Sequence, residues 1–446
     1  MTRLFYNLLI HSVIPPALAA FYLPRVLFAK KYRLSFKGKL GILGNDFRPE
    51  GLPRPRFWLH AVSVGEVTAL GPIAKSLKEL LPEASLIVST GTETGRAMAE
   101  AIVPFADGFF YLPLDFPLCV NRVIKRIDPD VLVLMETELW PNLIAALKRR
   151  GTAVAVANGR ISDRSFPRYR RLRFFFEPVL DKVDMFLMSS ALDAERVMAI
   201  GAPRDRVSVT GSTKLDAAFE TDDQRPVENL RQLLHINPGA MVLVAGSTHP
   251  GEHEVCLDVF RSLLGRFPDL TLVLVPRHVE RVPLIMAAMK ERNMSEPFLR
   301  SAADNGEPRN GRNVIVVDRT GELFHIYALA TAAFVGGSLV SKGGQNILEP
   351  AAWGKVVLFG PHMEDFRDAR DILVRAGSGI VVTDARDLET KLAAVLHDPH
   401  KTSALGDKGR KAILEHTGSA RRNAEMLAEL VRPGESLRNR TPKKKP

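Results

Sequence analysis

Cysteine is nearly missing: Cys119 and Cys256 are the only two in 446 residues, far apart and without metal-ligand spacing. That excludes a disulfide framework and a thiolate metal cluster, and it suits a reducing compartment. No G-x-S-x-G elbow, no G-x-x-x-x-G-K-[ST] loop and no H-E-x-x-H occurs, which removes the serine-hydrolase, P-loop and zincin readings. One acidic triplet resembles a metal-binding D-x-D, Asp128-Pro129-Asp130, but it precedes the apolar run "VLVLME" (131–136) and reads as a turn before a strand. "STHPGEH" (247–253) places His249 and His253 four apart with Glu252. A helix start capped by Ser/Thr with Pro in its first turn explains it more cheaply than a metal does. No metal and no other cofactor is expected.

Long apolar runs are scarce too. A straight spanning helix needs about 20 apolar residues, and the best candidate, "LFYNLLIHSVIPPALAAFYLPRVLF" (4–28), is broken at Pro15-Pro16 and carries Asn7, His11, Ser12 and Arg25. With the basic stretch "KKYRLSFKGK" (30–39) behind it, residues 1–40 read as a membrane-associating segment, lying in one leaflet or spanning it; a capping helix pair is the plain alternative. No small-residue cleavage site follows, so this is not a removed signal peptide.

Positive charge is present but confined. Of the net +11, residues 1–60 supply +8 (ten Lys/Arg against Asp46 and Glu50) and residues 432–446 supply +5, which leaves −2 for the body. Nucleic acid is therefore not an expected partner. Basic residues beside an apolar end point to an anionic membrane surface, at about 1 kcal/mol per charge.

From residue 57 onward short β-rich runs alternate with helical patterns: "FWLHAV" (57–62), "SLIVST" (85–90), "GFFYLP" (108–113), "VLVLME", "AVAVAN" (153–158), "MFLMSS" (185–190) and "VSVTG" (207–211). The rhythm restarts with "MVLVAG" (241–246), "TLVLVP" (271–276), "VIVVD" (314–318), "AAFVGG" (332–337), "VVLFG" (356–360) and "GIVV" (379–382). Runs apolar on both faces suit parallel strands, and alternation with helices demands doubly wound sheets. The expected class is α/β: two Rossmann-like domains facing a cleft. Their bounds are 41–220 and 236–431, joined by a polar linker at 221–235 and followed by a disordered basic tail at 432–446. "EPFLRSAADNGEPRNGRN" (296–313) reads as a long surface loop.

Ligands of such sheets bind beyond the carboxyl ends of the strands, and chemically able residues collect there. Glu66 follows the first run, and Glu136 closes "VLVLME" ahead of Thr137-Glu138-Leu139-Trp140. Lys214 follows "VSVTG", and Pro276-Arg277-His278 closes "TLVLVP". Thr320-Gly321-Glu322 follows "VIVVD", and "GGSLVSKGGQNILEPAA" (336–352) follows "AAFV". Caps and turns use the same residue types, so each alone is weak; their shared edge is the signal. Gly343 and Gly344 would let backbone approach a ligand. Asn346 would open a helix whose amides favour negative charge, and Glu349 could accept bonds from ribose hydroxyls. The N-x-x-E spacing of a plain capping box fits Asn346 and Glu349 equally. Glu66 is open to the same bland reading, as an ordinary residue of a helix start.

Taken together, "SVGE", "METELWPNLI", "NGRISDRSF", "GSTKLD", "LVPRH", "FVGGSLV" and "GGQNILEPAA" resemble the motifs of the Kdo transferases, GT-B glycosyltransferases that move 3-deoxy-D-manno-oct-2-ulosonic acid from CMP-Kdo to a lipid A precursor at the cytoplasmic face of the inner membrane. The similarity runs from about residue 4 to 425, apolar amino terminus included. It implies a general base at Glu66 and transition-state stabilisers at Glu136 and Lys214. It also implies CMP contacts at Pro276, Arg277, Thr320, Gly321, Glu322, Asn346, Ile347, Leu348 and Glu349. Gln345 stands where that family's loop has histidine, and His253 where a second acid is common. On this reading Glu66, kept ionised by a helix dipole, takes the acceptor proton, the anomeric centre inverts, and CMP leaves against Arg277 without a metal. Lys214 either balances the leaving CMP or holds the donor's carboxylate. The alternatives are a GT-B-type nucleotide-sugar epimerase or hydrolase, and a non-catalytic nucleotide-binding module at the membrane surface.

Overall fold

Alternate residues of one strand enter two different cores. Trp58, Leu132, Leu134, Val154 and Val156 belong to one apolar cluster, and Phe57, Leu59, Val131, Val133, Ala153 and Ala155 to another. Side chains of a strand point to opposite faces in turn, so both faces of this sheet are covered. The sequence meets that demand with largely apolar strands, their polar residues such as Arg56, Ser85, Thr90 and Asn158 lying at or near the strand ends. The computed structural model describes residues 6–13, 33–44, 47–217 and 225–431. Most of the 1–40 segment, the start of the linker (221–224) and the tail 432–446 lie outside the described residues.

Two sheets of seven strands result. The first contains β1 (Arg56–Ala61), β2 (Ser85–Thr90), β3 (Gly108–Tyr111), β4 (Val131–Met135), β5 (Ala153–Gly159), β6 (Met185–Met188) and β7 (Val207–Val209), in the order β3-β2-β1-β4-β5-β6-β7. The second contains β8 (Val242–Thr248), β9 (Thr271–Pro276), β10 (Phe298–Leu299), β11 (Val314–Val316), β12 (Ala332–Val335), β13 (Val356–Phe359) and β14 (Gly379–Val381), in the order β10-β11-β9-β8-β12-β13-β14. Every strand pair is parallel. In each sheet the strand order reverses beside the first strand, between β1 and β4 and between β8 and β12. Ligands of open α/β sheets bind at such switch points.

Five helices carry or brace the residues of interest: α1 (Val64–Leu80), α2 (Thr213–Ala217), α3 (Glu252–Leu263), α4 (Leu348–Ala352) and α5 (Ser419–Glu429). The chain forms two compact units. The first runs to Ala217 and takes the chain back from Thr417; the second is Ala218–His416. The return differs from the sequence reading, which left everything to residue 431 in the second domain. Its cause is the apolar stripe Ala420, Ala424 and Leu427 of α5, which packs with Val67, Leu70, Ile73 and Leu77 of α1. Asp216 fixes the start of α5 by accepting the amides of Gly418 (2.5 Å) and Ala420 (3.1 Å).

Two further segments depart from expectation. Residues 225–233, read as linker, are a helix that buries Val227 and Leu230. The stretch 296–313, read as loop, supplies the edge strand β10 and the helix Arg300–Asp304. Phe298 is wholly buried and Arg300 nearly so; one buried aromatic was enough to add a strand where periodicity was too short to show it. Among the described residues no helix is long and apolar enough to cross a membrane. Residues 6–13 are helical, with Ile10 buried, Leu8, Leu9 and Val13 exposed, and the Tyr6 hydroxyl donating to Asp115 at 2.9 Å.

Candidate functional site

In the first unit the site grows from the β1–α1 turn. Ser63 caps α1, its hydroxyl accepting the Glu66 amide at 3.3 Å. Glu66 reaches back: one carboxylate oxygen accepts the Ser63 hydroxyl proton (2.8 Å) and the other the Val62 amide (2.8 Å). Ser63 and Glu66 thus close the helix start on each other, Ser63 as N-cap and Glu66 as the acceptor of the Val62 amide and the Ser63 hydroxyl, so the bland reading of Glu66 holds whatever else the carboxylate does. Only 9% of Glu66 is exposed. Burial raises its pKa above the ordinary carboxyl value, the bonds from Val62 and Ser63 pull it down, and the charge of Glu136 adds to the rise. The sequence reading had the helix dipole holding this group ionised; desolvation acts the other way and wins. A base with a raised pKa is better matched to neutral pH.

Beyond β4, Glu136 sits at φ +54°, and Asn158, next to last in the neighbouring β5, at φ +50°. Left-handed backbone outside glycine costs about 1–3 kcal/mol, and here it turns two strand ends toward the same place. Lys214 on α2 pairs with Glu136 at 2.9 Å. Its position is fixed by Thr213, whose amide donates to the Asn158 side chain (3.1 Å) and whose hydroxyl donates to the Ala69 carbonyl of α1 (2.8 Å). Three chain segments distant in sequence are therefore bolted together around Glu66, Glu136 and Lys214.

The structure adds Glu138, which sequence reasoning quoted but did not assign. Burial first, and then the charge of Glu66, push its pKa to about 7, with Glu136 adding to the effect. Two glutamates separated by one residue at a strand's carboxyl end were the available signal. Three carboxyls and one ammonium so arranged can accept one proton and hold it.

In the second unit, Arg277 follows β9, its amide donating to the Thr248 carbonyl at 3.0 Å. Its side chain is exposed and takes part in no ion pair among the described residues, as a phosphate ligand requires. Glu349 carries a pKa raised to about 7 by burial, against lowering by its Asn346 hydrogen bond and by the charge of Arg277. Asn346 donates to Glu349 (3.1 Å) and accepts the Leu348 amide (3.1 Å). It does not open the helix as expected: α4 begins at Leu348 after Ile347, so the two-residue bond of Asn346 is a turn, and five residues make a weak dipole. Gly343 and Gly344 hold φ near +80°, and a Cβ there would strike Asp365 and Met363. Their glycine identity is therefore required by the loop's own path.

Glu322 is not free for a ligand. Arg300 binds both its oxygens, at 2.9 and 2.8 Å. What Thr320-Gly321-Glu322 presents is a backbone turn, with Gly321 at φ +93°. Pro276 ends β9 and is buried. Among the described residues no cluster of His, Cys, Asp or Glu could hold a metal ion.

The family model described as 3-Deoxy-D-manno-octulosonic-acid transferase (kdotransferase) matches residues 35–217. The chain is 33% identical over 430 residues to the 3-deoxy-D-manno-octulosonic acid transferase of Haemophilus influenzae, covering 96% of this chain and 98% of that one. To the enzyme of that name from Bordetella pertussis it is 32% identical over 384 residues, covering 83% and 86%. A solved UDP-GlcNAc 2-epimerase from Neisseria meningitidis superposes with a TM-score of 0.57 at 12% identity, over 84% of this chain and 99% of that one; it shares the two-domain GT-B-type fold.

Proposed function

The chain belongs to the 3-deoxy-D-manno-octulosonic acid (Kdo) transferase family, and we propose that it moves Kdo from CMP-Kdo to a lipid A precursor, the tetraacyl disaccharide 1,4'-bisphosphate, with inversion and without a metal. The observation that supports this most directly is the held carboxylate of Glu66, poised beside the Glu136–Lys214 pair at the switch point of the first sheet. In this reading Glu66 takes the proton of the acceptor hydroxyl as that oxygen attacks the anomeric carbon. The bond from that carbon to the phosphate oxygen breaks, and its electron pair leaves with CMP.

Lys214, fixed by Glu136, lends positive charge to the developing transition state. Glu138, whose carboxyl has a pKa of about 7, is placed to share the proton that Glu66 receives. The second unit holds the donor: Arg277 on the phosphate, Glu349 on ribose hydroxyls, and the backbone at Thr320–Glu322 and Asn346–Leu348 around the rest. The capacity for one single displacement favours inversion, and a phosphodiester of one negative charge is balanced by Arg277 alone.

The acceptor is a lipid, so we place the protein on the cytoplasmic face of the inner membrane. Leu8, Leu9 and Val13, each about half exposed or more, would meet the anionic surface alongside the basic first 40 residues. The test is to incubate the purified chain with CMP-Kdo and the tetraacyl precursor, with and without EDTA. Mass spectrometry should show acceptor carrying added Kdo in both arms, and NMR of the product the inverted anomer. Acceptor left unmodified, or a product formed only without EDTA, refutes the corresponding part.

A further inference from the structure

At the switch point of the second sheet, several basic side chains gather around a site that no described residue satisfies. Strand β8 leaves the sheet through Ser247, held at φ +51°, and delivers His249 to the start of α3. Beneath it lies Glu252, wholly buried. That carboxylate is spent inward: it accepts the amides of His249 (2.9 Å), Gly337 (2.7 Å), Ser338 (3.0 Å) and Leu339 (2.9 Å). It therefore fixes the β8 and β12 exits against each other and leaves no oxygen for the His249 ring.

The His249 ring stands edge-on to His278, 6.2 Å between centroids. Its Nε2 is shielded from solvent and has no hydrogen-bond partner among the described residues. Burial lowers its pKa, and so do nearby His278, Lys342 and Arg277, while Glu252 opposes them; the ring is thereby biased to its neutral form, which can present an N–H at Nε2. Arg277, His278 and Lys342 are all exposed, and none of the three makes an ion pair within the described residues. By contrast, Arg300 and Arg319 elsewhere in the same unit are matched by Glu322 and Asp304. A shielded ring nitrogen that can carry an N–H, without a partner among the described residues and beside the unmatched cations Arg277 and Lys342, is a place for an anion.

We infer that His249, His278 and Lys342 form a second anion subsite beside Arg277, which takes the carboxylate of the donor sugar. The assignment rests on the Kdo-transfer reading. In that donor the carboxylate and the phosphate oxygen are attached to the same carbon, so two adjacent anion sites are needed. Arg277 balances the single charge of the phosphodiester and leaves the carboxylate to be met. Lys214, the other candidate, is already paired with Glu136 at 2.9 Å. A neutral N–H and an ammonium on one carboxylate also discriminate against nucleotide sugars that lack the acid, because the buried donor would then stay unpaired.

The experiment compares the full chain with His249→Ala, Lys342→Ala and His249→Gln, measuring KM for CMP-Kdo in transfer and the affinity for CMP alone by calorimetry. CMP has the phosphate and no carboxylate. The alanine variants should raise KM about 10- to 100-fold, the scale of one charged hydrogen bond, and change CMP affinity less than about threefold; His249→Gln, which keeps an N–H, should recover most of the loss. Equal losses for CMP and CMP-Kdo would put the phosphate there instead and overturn the inference, as would no change in either. A wild-type chain that binds CMP and transfers no Kdo would refute the family reading itself. The His249 side chain makes no hydrogen bond among the described residues, so its removal should leave the melting temperature unchanged, and a large drop would overturn the inference by marking it as structural.

Discussion

Replacing Glu66 with glutamine separates the two jobs that its carboxylate does. As a brace of the helix start Glu66 accepts two bonds, from the Val62 amide and the Ser63 hydroxyl. Glutamine keeps one acceptor oxygen for the Val62 amide, and its N–H can donate to the Ser63 hydroxyl, which rotates to accept. The structural cost is then at most one ordinary hydrogen bond, about 0.5–1.5 kcal/mol, and it is offset by relief of burying an acid. The chemical cost is far larger. Losing a general base lowers kcat about 10²–10⁴-fold, or about 3–5 kcal/mol on the barrier.

Steady-state transfer, CMP calorimetry and thermal melting of the same preparation read the two jobs apart. Transfer should fall by that factor while the melting point and CMP affinity hold. Ser63→Ala is the converse control: it removes the cap, costs about 0.5–2 kcal/mol of stability, and should retain transfer within about tenfold. Glu66→Gln with near-normal kcat, or with a loss matched by Ser63→Ala, would refute the assignment of Glu66 as the base.

Lys214→Ala strands the Glu136 carboxylate and should lower stability by about 1.5–3 kcal/mol and abolish transfer; adding Glu136→Gln should restore the stability and not the activity, as melting and rate assays of the pair would show. Because burial holds the Glu349 carboxyl near pKa 7, CMP affinity should weaken as pH falls from 8 to 6 and the ribose acceptor is protonated. Glu349→Gln should flatten that profile in calorimetry. The same raised pKa means that this group favours the folded state below pH 4.5 and loses that contribution as pH climbs through 7. Leu427→Ala, in the last helix, should cost about 2–5 kcal/mol and loosen α1 and β1, far away in sequence, which hydrogen exchange would locate in the first unit and not in the second.

The strands and the site's edge were legible because each rests on local physics. A run such as "VLVLME" has to be a buried parallel strand, and the residues just after it have to lie at a carboxyl end. Glu66, Glu136, Lys214 and Arg277 stand out as candidates in that way. Local physics does not say what a polar group pairs with. Glu322 looked available until Arg300 came in from a stretch that reads as loop. Asn346 looked like a cap until α4 began two residues later. The return of α5 to the first unit was invisible because its stripe of Ala420, Ala424 and Leu427 fits either sheet, and only the facing residues of α1 decide between them.

By itself, then, the sequence determined two parallel sheets, the positions of their strand ends and the chemical types gathered there, since periodicity and residue type act over a few residues. The tertiary structure alone decided which of those groups are spent on one another, as Lys214 on Glu136 and Glu252 on four amides, and which, like the His249 Nε2 and the Arg277 guanidinium, have no such partner among the described residues. Pairing depends on distances between residues far apart in the chain, and burial, which sets the pKa of Glu66, Glu138 and Glu349, depends on everything packed around them.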